Sequence, residues 1–327
     1  MKILVTGGTG FTGHHLVRRL VHDGHQVRSL DNQEGLFDKE LKSLGVEIIY
    51  GSVTDKDAVE RAMEGCEIVF HLAAAFRGVD LPKAVYWSVN VEGTRIVCNA
   101  AMNAGVKRLI YCSTEGVHGK VDITPADENA PINPKDYYEF SKYEGEKVVK
   151  EFKGNGLTTV ILRPTAIYGP GDPGRFLMIF KQVKKGYFPM FGSGKITYHP
   201  VYIDNLVDAF MESMVSATAV GNAYLIGDEH YYSLIDLVTY VGKVMNKKFK
   251  FIYAPYWLLL WVSCACEWVC KPFGITPPLF KRRAEWYWEN RGFSNKKAAQ
   301  DLGYTPRIGI EEGLKRTYEW YVSNGYL

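Results

Sequence analysis

From residue 2 to about residue 163, short β-branched runs alternate with stretches whose apolar positions recur at helical spacing, and this alternation constrains the fold more than any other feature of the chain. Strands are predicted near 2–6, 26–30, 46–50, 67–72, 107–112 and 158–163. Gly24, Gly45, Gly65 and Gly105 each fall shortly before a strand, where the end of a helix calls for a residue that accepts a left-handed backbone. Strands and helices in strict alternation imply a parallel sheet with helices on both faces, so the expected class is α/β with a doubly wound sheet. Beyond residue 163, "YGPGDPGRF" and "FGSGK" read as turns and the elements become shorter and mixed. The predicted division is a sheet domain over 1–165 and, over 166–327, mainly a smaller mixed α/β lobe, some segments of which return to the sheet domain.

The first strand runs straight into "VTGGTGFTG", which places Gly7, Gly10 and Gly13 between a strand and a helix. Glycines there allow a tight turn and a close approach of the backbone to a pyrophosphate, whose charge then lies on the helix N-terminus. The second strand ends in "RSLDNQ", with Asp31 about 20 residues beyond the glycines. A carboxylate at that place accepts hydrogen bonds from both adenosine ribose hydroxyls and repels a 2′-phosphate, so NAD is expected rather than NADP. Arg28 precedes the strand end and should point elsewhere, and Asn32 and Gln33 carry no charge to offset Asp31.

A formal net charge of +3, spread without blocks, gives no footprint for nucleic acid. The first strand begins directly after Met1, leaving no room for a secretory signal, so a cytoplasmic location is expected. Six cysteines without a regular framework fit reduced thiols, and no metal site is predicted. The stretch "PYWLLLWVSCACEWVCKP", 255–272, is too short for a bilayer span of roughly 20 apolar residues and is interrupted by Glu267. Its Trp257, Trp261, Cys264 and Trp268 recur at helical spacing, as in a core helix or a lid over an apolar substrate. The other reading is a helix lying on a membrane surface, although such helices usually carry more Lys and Arg.

"YYEFSKYEGEK", 137–147, holds two Tyr-x-x-x-Lys pairs, Tyr138 with Lys142 and Tyr143 with Lys147. Tyr143 is rotated by roughly 140° from Tyr138 on a helix, so the two pairs face different ways. Together with the glycine run, "VFHLAA" at 69–74, "YCSTEGVHG" at 111–119 and "YEFSK" at 138–142 resemble the extended short-chain dehydrogenases/reductases, which include nucleotide-sugar epimerases, dehydratases and steroid dehydrogenases. The resemblance runs on through "LRPTAIYGPGD", "VYIDNLVDAF" and "AAQDLGYTPRIGIEEGL".

It implies a Rossmann-type NAD domain and a catalytic set of Thr114, Tyr138 and Lys142. Tyr138 follows "PINPKD", a helix start with Pro134 near the first turn, as the family's tyrosine does. In this reading Tyr138 is the acid/base, Lys142 favours its phenolate and binds the nicotinamide ribose, and Thr114 holds the reacting oxygen. The implied cofactor contacts are Gly7, Gly10, Phe11, Thr12, Gly13, Asp31, Ser52, Val53, Leu72, Ala73, Ala74, Tyr138, Lys142 and Pro164. Substrate contacts are implied at Phe76, Glu115, Tyr168 and Tyr198. Asn90 is either a packing amide or a supporting residue, and the helices around 82–104 and 135–153 resemble those through which the family forms homodimers.

Sugar dehydratases of the group have an acid and then a glutamate base after the catalytic Thr, and here Glu115 is followed by Gly116. Many epimerases carry an Asn where this chain has Ala166 and an Arg where it has Tyr198, so a nucleotide diphosphate lacks two expected contacts. The second half resembles the 3β-hydroxysteroid and sterol dehydrogenase branch through "RPTAIYGPGD", "GNAYLIGDEHYYSLIDLV", "APYW" and "KAAQDLGYTP". The expected function is therefore NAD-dependent oxidation or reduction of a small apolar molecule, with nucleotide-sugar 4-epimerisation as the alternative.

Overall fold

In the computed structural model, which describes residues 1–76, 81–172, 174–273, 275, 277, 279, 281, 284 and 286–327, the six predicted strands are present. They are β1 (Lys2–Thr6), β2 (Gln26–Asp31), β3 (Glu47–Tyr50), β4 (Ile68–His71), β5 (Arg108–Cys112) and β6 (Thr159–Pro164). The helices between them are α1 (Phe11–His22), α2 (Asp38–Ser43), α3 (Lys56–Met63), α4 (Lys83–Trp87), α5 (Gly93–Asn103) and α6 (Tyr137–Gly154). Gly24, Gly45, Gly65 and Gly105 all adopt positive φ, as the C-cap reading requires.

A seventh strand, Ala223–Ile226, pairs parallel with β6 and completes a sheet in the order 223–226, β6, β5, β4, β1, β2, β3. The order reverses between β1 and β4, which opens the crevice where ligands of such sheets sit. One face of the sheet packs on α1 and on α8 (Ile203–Val215) through Leu16, Leu20, Leu206 and Phe210; the other packs on α3, α5 and α6 through Val59, Val97 and Val149. Both faces are covered, so the strands are apolar almost throughout.

The later residues form three two-stranded ladders and the helices α7 (Arg175–Lys184), α9 (Leu234–Val244) and α10 (Tyr256–Cys270). Their core is aromatic, with Tyr168, Phe176, Phe180, Tyr202 and Tyr321 packed together. The helix α10 departs from the expectation of a core element. Only Leu259 and Ser263 are buried, while Trp261 is 72% and Trp268 79% exposed. The reason is in its sequence: apolar residues surround the helix on all sides, and one packed stripe cannot cover them. The ladder strand Lys250–Ala254 that leads into it also exposes Ile252 and Tyr253.

Candidate active site

The predicted cofactor residues lie at the carboxyl ends of successive strands. Gly7 follows β1, Asp31 ends β2, Ser52 and Val53 follow β3, Leu72 to Ala74 follow β4, and Pro164 ends β6. A Cβ on Gly7, whose φ is +76°, would come within 2.9 Å of the Ala73 nitrogen, and one on Gly13 would strike the Gly7 carbonyl. The loop is thus drawn tightly against β4 and its own helix. Among the described residues, a Cβ on Gly10 would meet only the Gly7 oxygen, at 3.3 Å, and no side chain caps α1. A bare loop facing an uncapped helix N-terminus fits a pyrophosphate.

Asp31 is buried and accepts from the Thr9 N–H at 3.2 Å and from the Ser29 hydroxyl. Burial pushes its carboxyl above the usual range, and these two bonds oppose the shift. A carboxylate offers about four acceptor positions, so two remain for the ribose hydroxyls. Arg28 does point elsewhere: it bonds Glu47 at 2.8 Å and the Ala62 carbonyl at 2.9 Å. Replacing Asp31 by Asn, which keeps one acceptor oxygen and puts a donor in place of the other, is expected to weaken NAD binding roughly 10-fold and to narrow the preference over NADP. Titration of both cofactors checks this, and an unchanged NAD/NADP ratio would remove the assigned contact.

Tyr138 and Lys142 sit one turn apart on the buried face of α6, whereas Tyr143 is half-buried and Lys147 is exposed and paired with Glu144. The cap of this helix is Asp136, whose carboxylate accepts from the Glu139 N–H at 2.7 Å; Pro134 lies just before it rather than in the first turn. Gly145 lets α6 sit close to β5, since a Cβ there would strike the Tyr111 hydroxyl oxygen. Lys142 is fully enclosed, with its ammonium 4.1 Å from the centre of the Tyr111 ring. Burial draws it down to about 8, against the opposing effects of Cys112 and Glu146.

Thr114 begins the turn after β5. Its hydroxyl accepts from the Gly116 N–H at 3.1 Å and donates to Glu115 at 2.8 Å. Glu115 in turn reaches Arg291 at 3.5 Å, and Arg291 also binds Glu139 and Glu289 at 3.2 and 3.0 Å. Gly116 packs against Glu139, whose Cγ would lie 2.8 Å from a Cβ at 116. Asn90 lies in a π-helical turn, Ser88–Glu92, and bonds both backbone groups of Ala75 and the hydroxyl of Ser141. It clamps the loop after β4 to α6.

The four predicted substrate contacts divide. Glu115 lies beside Thr114, and the exposed Phe76 sets its ring edge-on to Tyr138 at 5.3 Å. Tyr168 corrects the sequence reading: it is a core residue with no exposed surface, stacked on Phe176 and bonded to Asp228. Tyr198 is also buried, and its hydroxyl accepts from Arg175 at 2.7 Å. The positive charge missing at 198 is therefore supplied from α7. Sequence reasoning missed both Arg175 and Arg291, because their partners are remote along the chain.

Residues 4–245 match the model of the 3-beta hydroxysteroid dehydrogenase/isomerase family. The chain belongs to that family. It is an NAD-dependent enzyme of the extended short-chain dehydrogenase/reductase type, as the motifs led us to expect. This family member is 33% identical to 3beta-hydroxysteroid-dehydrogenase/decarboxylase isoform 2 of Arabidopsis thaliana over 97% of its own length, spanning 61% of that longer protein. It is also 33% identical to 2-alkyl-3-oxoalkanoate reductase of Stenotrophomonas maltophilia, covering 97% of this chain and 98% of that one. Among solved structures it resembles UDP-glucose 4-epimerase of Thermotoga maritima, crystallised with UDP-glucose, with a TM-score of 0.81, 26% identity and 99% of each chain covered.

Proposed function

We propose that this enzyme interconverts a secondary alcohol and a ketone on an apolar substrate of the sterol, steroid or fatty β-hydroxy-acid kind. The supporting observation is that an apolar segment is joined to the candidate site. Helix α10 continues through the stack of Tyr256 on Trp288 to Tyr287 and Trp286, and Trp286 meets Tyr198 edge-on at 5.8 Å. Tyr198 is bridged through its backbone to Arg291, beside Glu115 and Thr114. Each methylene that such a wall removes from water contributes about 0.8 kcal/mol to binding. The reductase of 2-alkyl-3-oxoalkanoates among its relatives favours the same substrate class.

Bound NAD supplies a hydride acceptor for oxidation and, when reduced, a hydride donor for reduction. Tyr138 takes the hydroxyl proton in one direction and returns it in the other. The neighbouring Lys142 ammonium favours the phenolate. Thr114, whose hydroxyl is given to Glu115 here, turns it to the reacting oxygen, which accepts from Thr114 while its own proton passes to Tyr138. Thr114 and Tyr138 thus hold the reacting oxygen from two sides.

The test is NADH formation from NAD⁺ with hydroxysteroids and 3-hydroxy acids, run beside UDP- and GDP-sugars analysed for epimers. Net NADH from an apolar alcohol is expected. Epimerised sugar without net NADH would establish the alternative, a nucleotide-sugar 4-epimerase.

We also propose a cytoplasmic homodimer that touches membranes through α10. No helix among the described residues is long and apolar enough to cross a membrane. Light scattering and co-sedimentation with lipid vesicles check these two points, and a monomer or protein left in the supernatant would refute the corresponding one.

A further inference from the structure

His71, in the "VFHLAA" run, ends β4 with no exposed surface, and both of its ring nitrogens are engaged. Nδ1 lies 2.7 Å from the hydroxyl of Thr6, at the end of β1, and Nε2 lies 3.0 Å from that of Thr94 on α5. The Thr94 proton is already given to the Asn90 carbonyl at 2.8 Å, so Nε2 carries the ring proton and donates it to Thr94. Nδ1 is then bare and accepts from Thr6, whose oxygen accepts in turn from the Ala73 N–H at 3.2 Å. Burial and the nearby Lys142 ammonium draw the imidazole down to about 3, which keeps it neutral and this chain of bonds running one way.

The chain ends on an irregular turn. Residues 83–103 are helical throughout, but Ser88–Glu92 form a π turn in which the Gly93 N–H reaches back five residues to the Ser88 carbonyl. Such a turn holds one residue more than an α turn and recurs at functional sites. Thr94 bonds back to the carbonyl four residues before it, which loosens the regular ladder at Asn90. The same carbonyl packs on Gly145 of α6, where a Cβ would come within 2.6 Å of it. The Asn90 side chain holds both backbone groups of Ala75 and the Ser141 hydroxyl, and Ser141 donates to the Tyr138 carbonyl at 2.9 Å. Relaxing the π turn to an α turn would rotate Asn90 against the following helix by about 100° and take it off both partners.

We infer that His71 and Thr94 are positioning residues that hold the π turn, and through Asn90 fix the loop after β4 against the part of α6 that carries Tyr138 and Lys142. His71 also ties this turn to Thr6, next to the glycine loop, so one chain of bonds sets the cofactor loop against the acid/base. This rests on the reading of Tyr138 and Lys142 as the reacting groups.

The test is a crystal structure of Thr94→Val with NAD bound, beside turnover on the substrate that the screen identifies. Valine keeps the outline of threonine and removes only the hydroxyl. An α turn at Ser88–Glu92, with Asn90 released from Ala75, is expected; a π turn that persists with Asn90 in place overturns the inference. Thr94→Val should lower kcat roughly 10- to 100-fold, as a misplacement of about 1 Å can, with less than about threefold change in NADH affinity. Thr94→Ser, which keeps the hydroxyl, should restore both the turn and the rate. In an Asn90→Ala background Thr94→Val should cost nothing more, because the two act in series, whereas losses that multiply would mean that Thr94 does not work through Asn90. His71→Asn still accepts from Thr6 but no longer reaches Thr94, and it carries the same comparison should Thr94→Val fail to bind NADH. Tyr138→Phe separates the two readings: if it keeps its rate, the acid/base assignment falls, and if it alone loses rate, the positioning assignment falls.

Discussion

Tyr138→Phe is expected to lower kcat roughly 10²- to 10⁴-fold, the range for losing a positioned acid/base, while NAD affinity stays within about twofold. The tyrosine is only 7% exposed, and its ring packs edge-on against Phe76 and Tyr86. Phenylalanine keeps that packing and removes only the oxygen, so a lost rate reports chemistry rather than folding. The measurement is turnover on whichever substrate the screen identifies, with cofactor titration as the control. A variant that keeps most of its rate would move the proton transfer elsewhere, and the hydrogen-bonded pair of Thr114 and Glu115 is the next group to hand.

The second large effect is on stability. Glu146 is fully buried and accepts from Ser113 at 2.6 Å and from two nitrogens of Arg163 at 2.8 and 2.7 Å. Burial opposes its charge, but Arg163 and Ser113 hold the carboxyl below the usual range. Another Arg163 nitrogen donates to His118 Nε2 at 2.9 Å, which fixes the proton on Nδ1, where it is given to the Ala130 carbonyl. The network ties α6 to β6 and to the turn after Thr114.

Glu146→Ala strands a buried guanidinium, and a loss of about 3–5 kcal/mol is expected. Urea unfolding should show it as a lower midpoint. Replacing both partners by apolar residues, as in Glu146→Met with Arg163→Leu, should recover much of the loss, because the desolvation cost of both charges then disappears. If the double variant is as unstable as the single one, the pair contributes more than charge balance.

The parallel sheet was legible because its signals are local: apolar runs of strand length, glycines at helix ends, and a glycine loop read against Asp31. Helical spacing made it legible that Tyr138 and Lys142 share a face turned away from Tyr143, while the choice of that pair came from the family resemblance. Contacts between distant segments were not. Arg291 reaches Glu115 across 176 residues, and nothing near either announces the other. The strand Ala223–Ile226 is four residues long, too short for its alternation to stand out, and its place beside β6 is set by the sheet edge it covers. Tyr168 looked like a pocket residue in its motif, but burial among aromatics is decided by Phe176 and Tyr202, which arrive from separate elements. Apolar content suggested burial for α10, although content does not say how much partner surface the rest of the chain provides.

The close fit of Gly116 against Glu139 bears on how this enzyme could diverge. Installing a glutamate base at 116, the change that would move the turn toward the dehydratase pattern, brings its Cβ against a side chain that is itself held by Arg291 and by the Lys135 N–H at 2.8 Å. A single substitution therefore has to displace the Glu139 side chain and strain its bonds to Arg291 and to the Lys135 N–H. The turn after Thr114 and the side chain at 139 are therefore coupled, and a change at 116 is felt at 139.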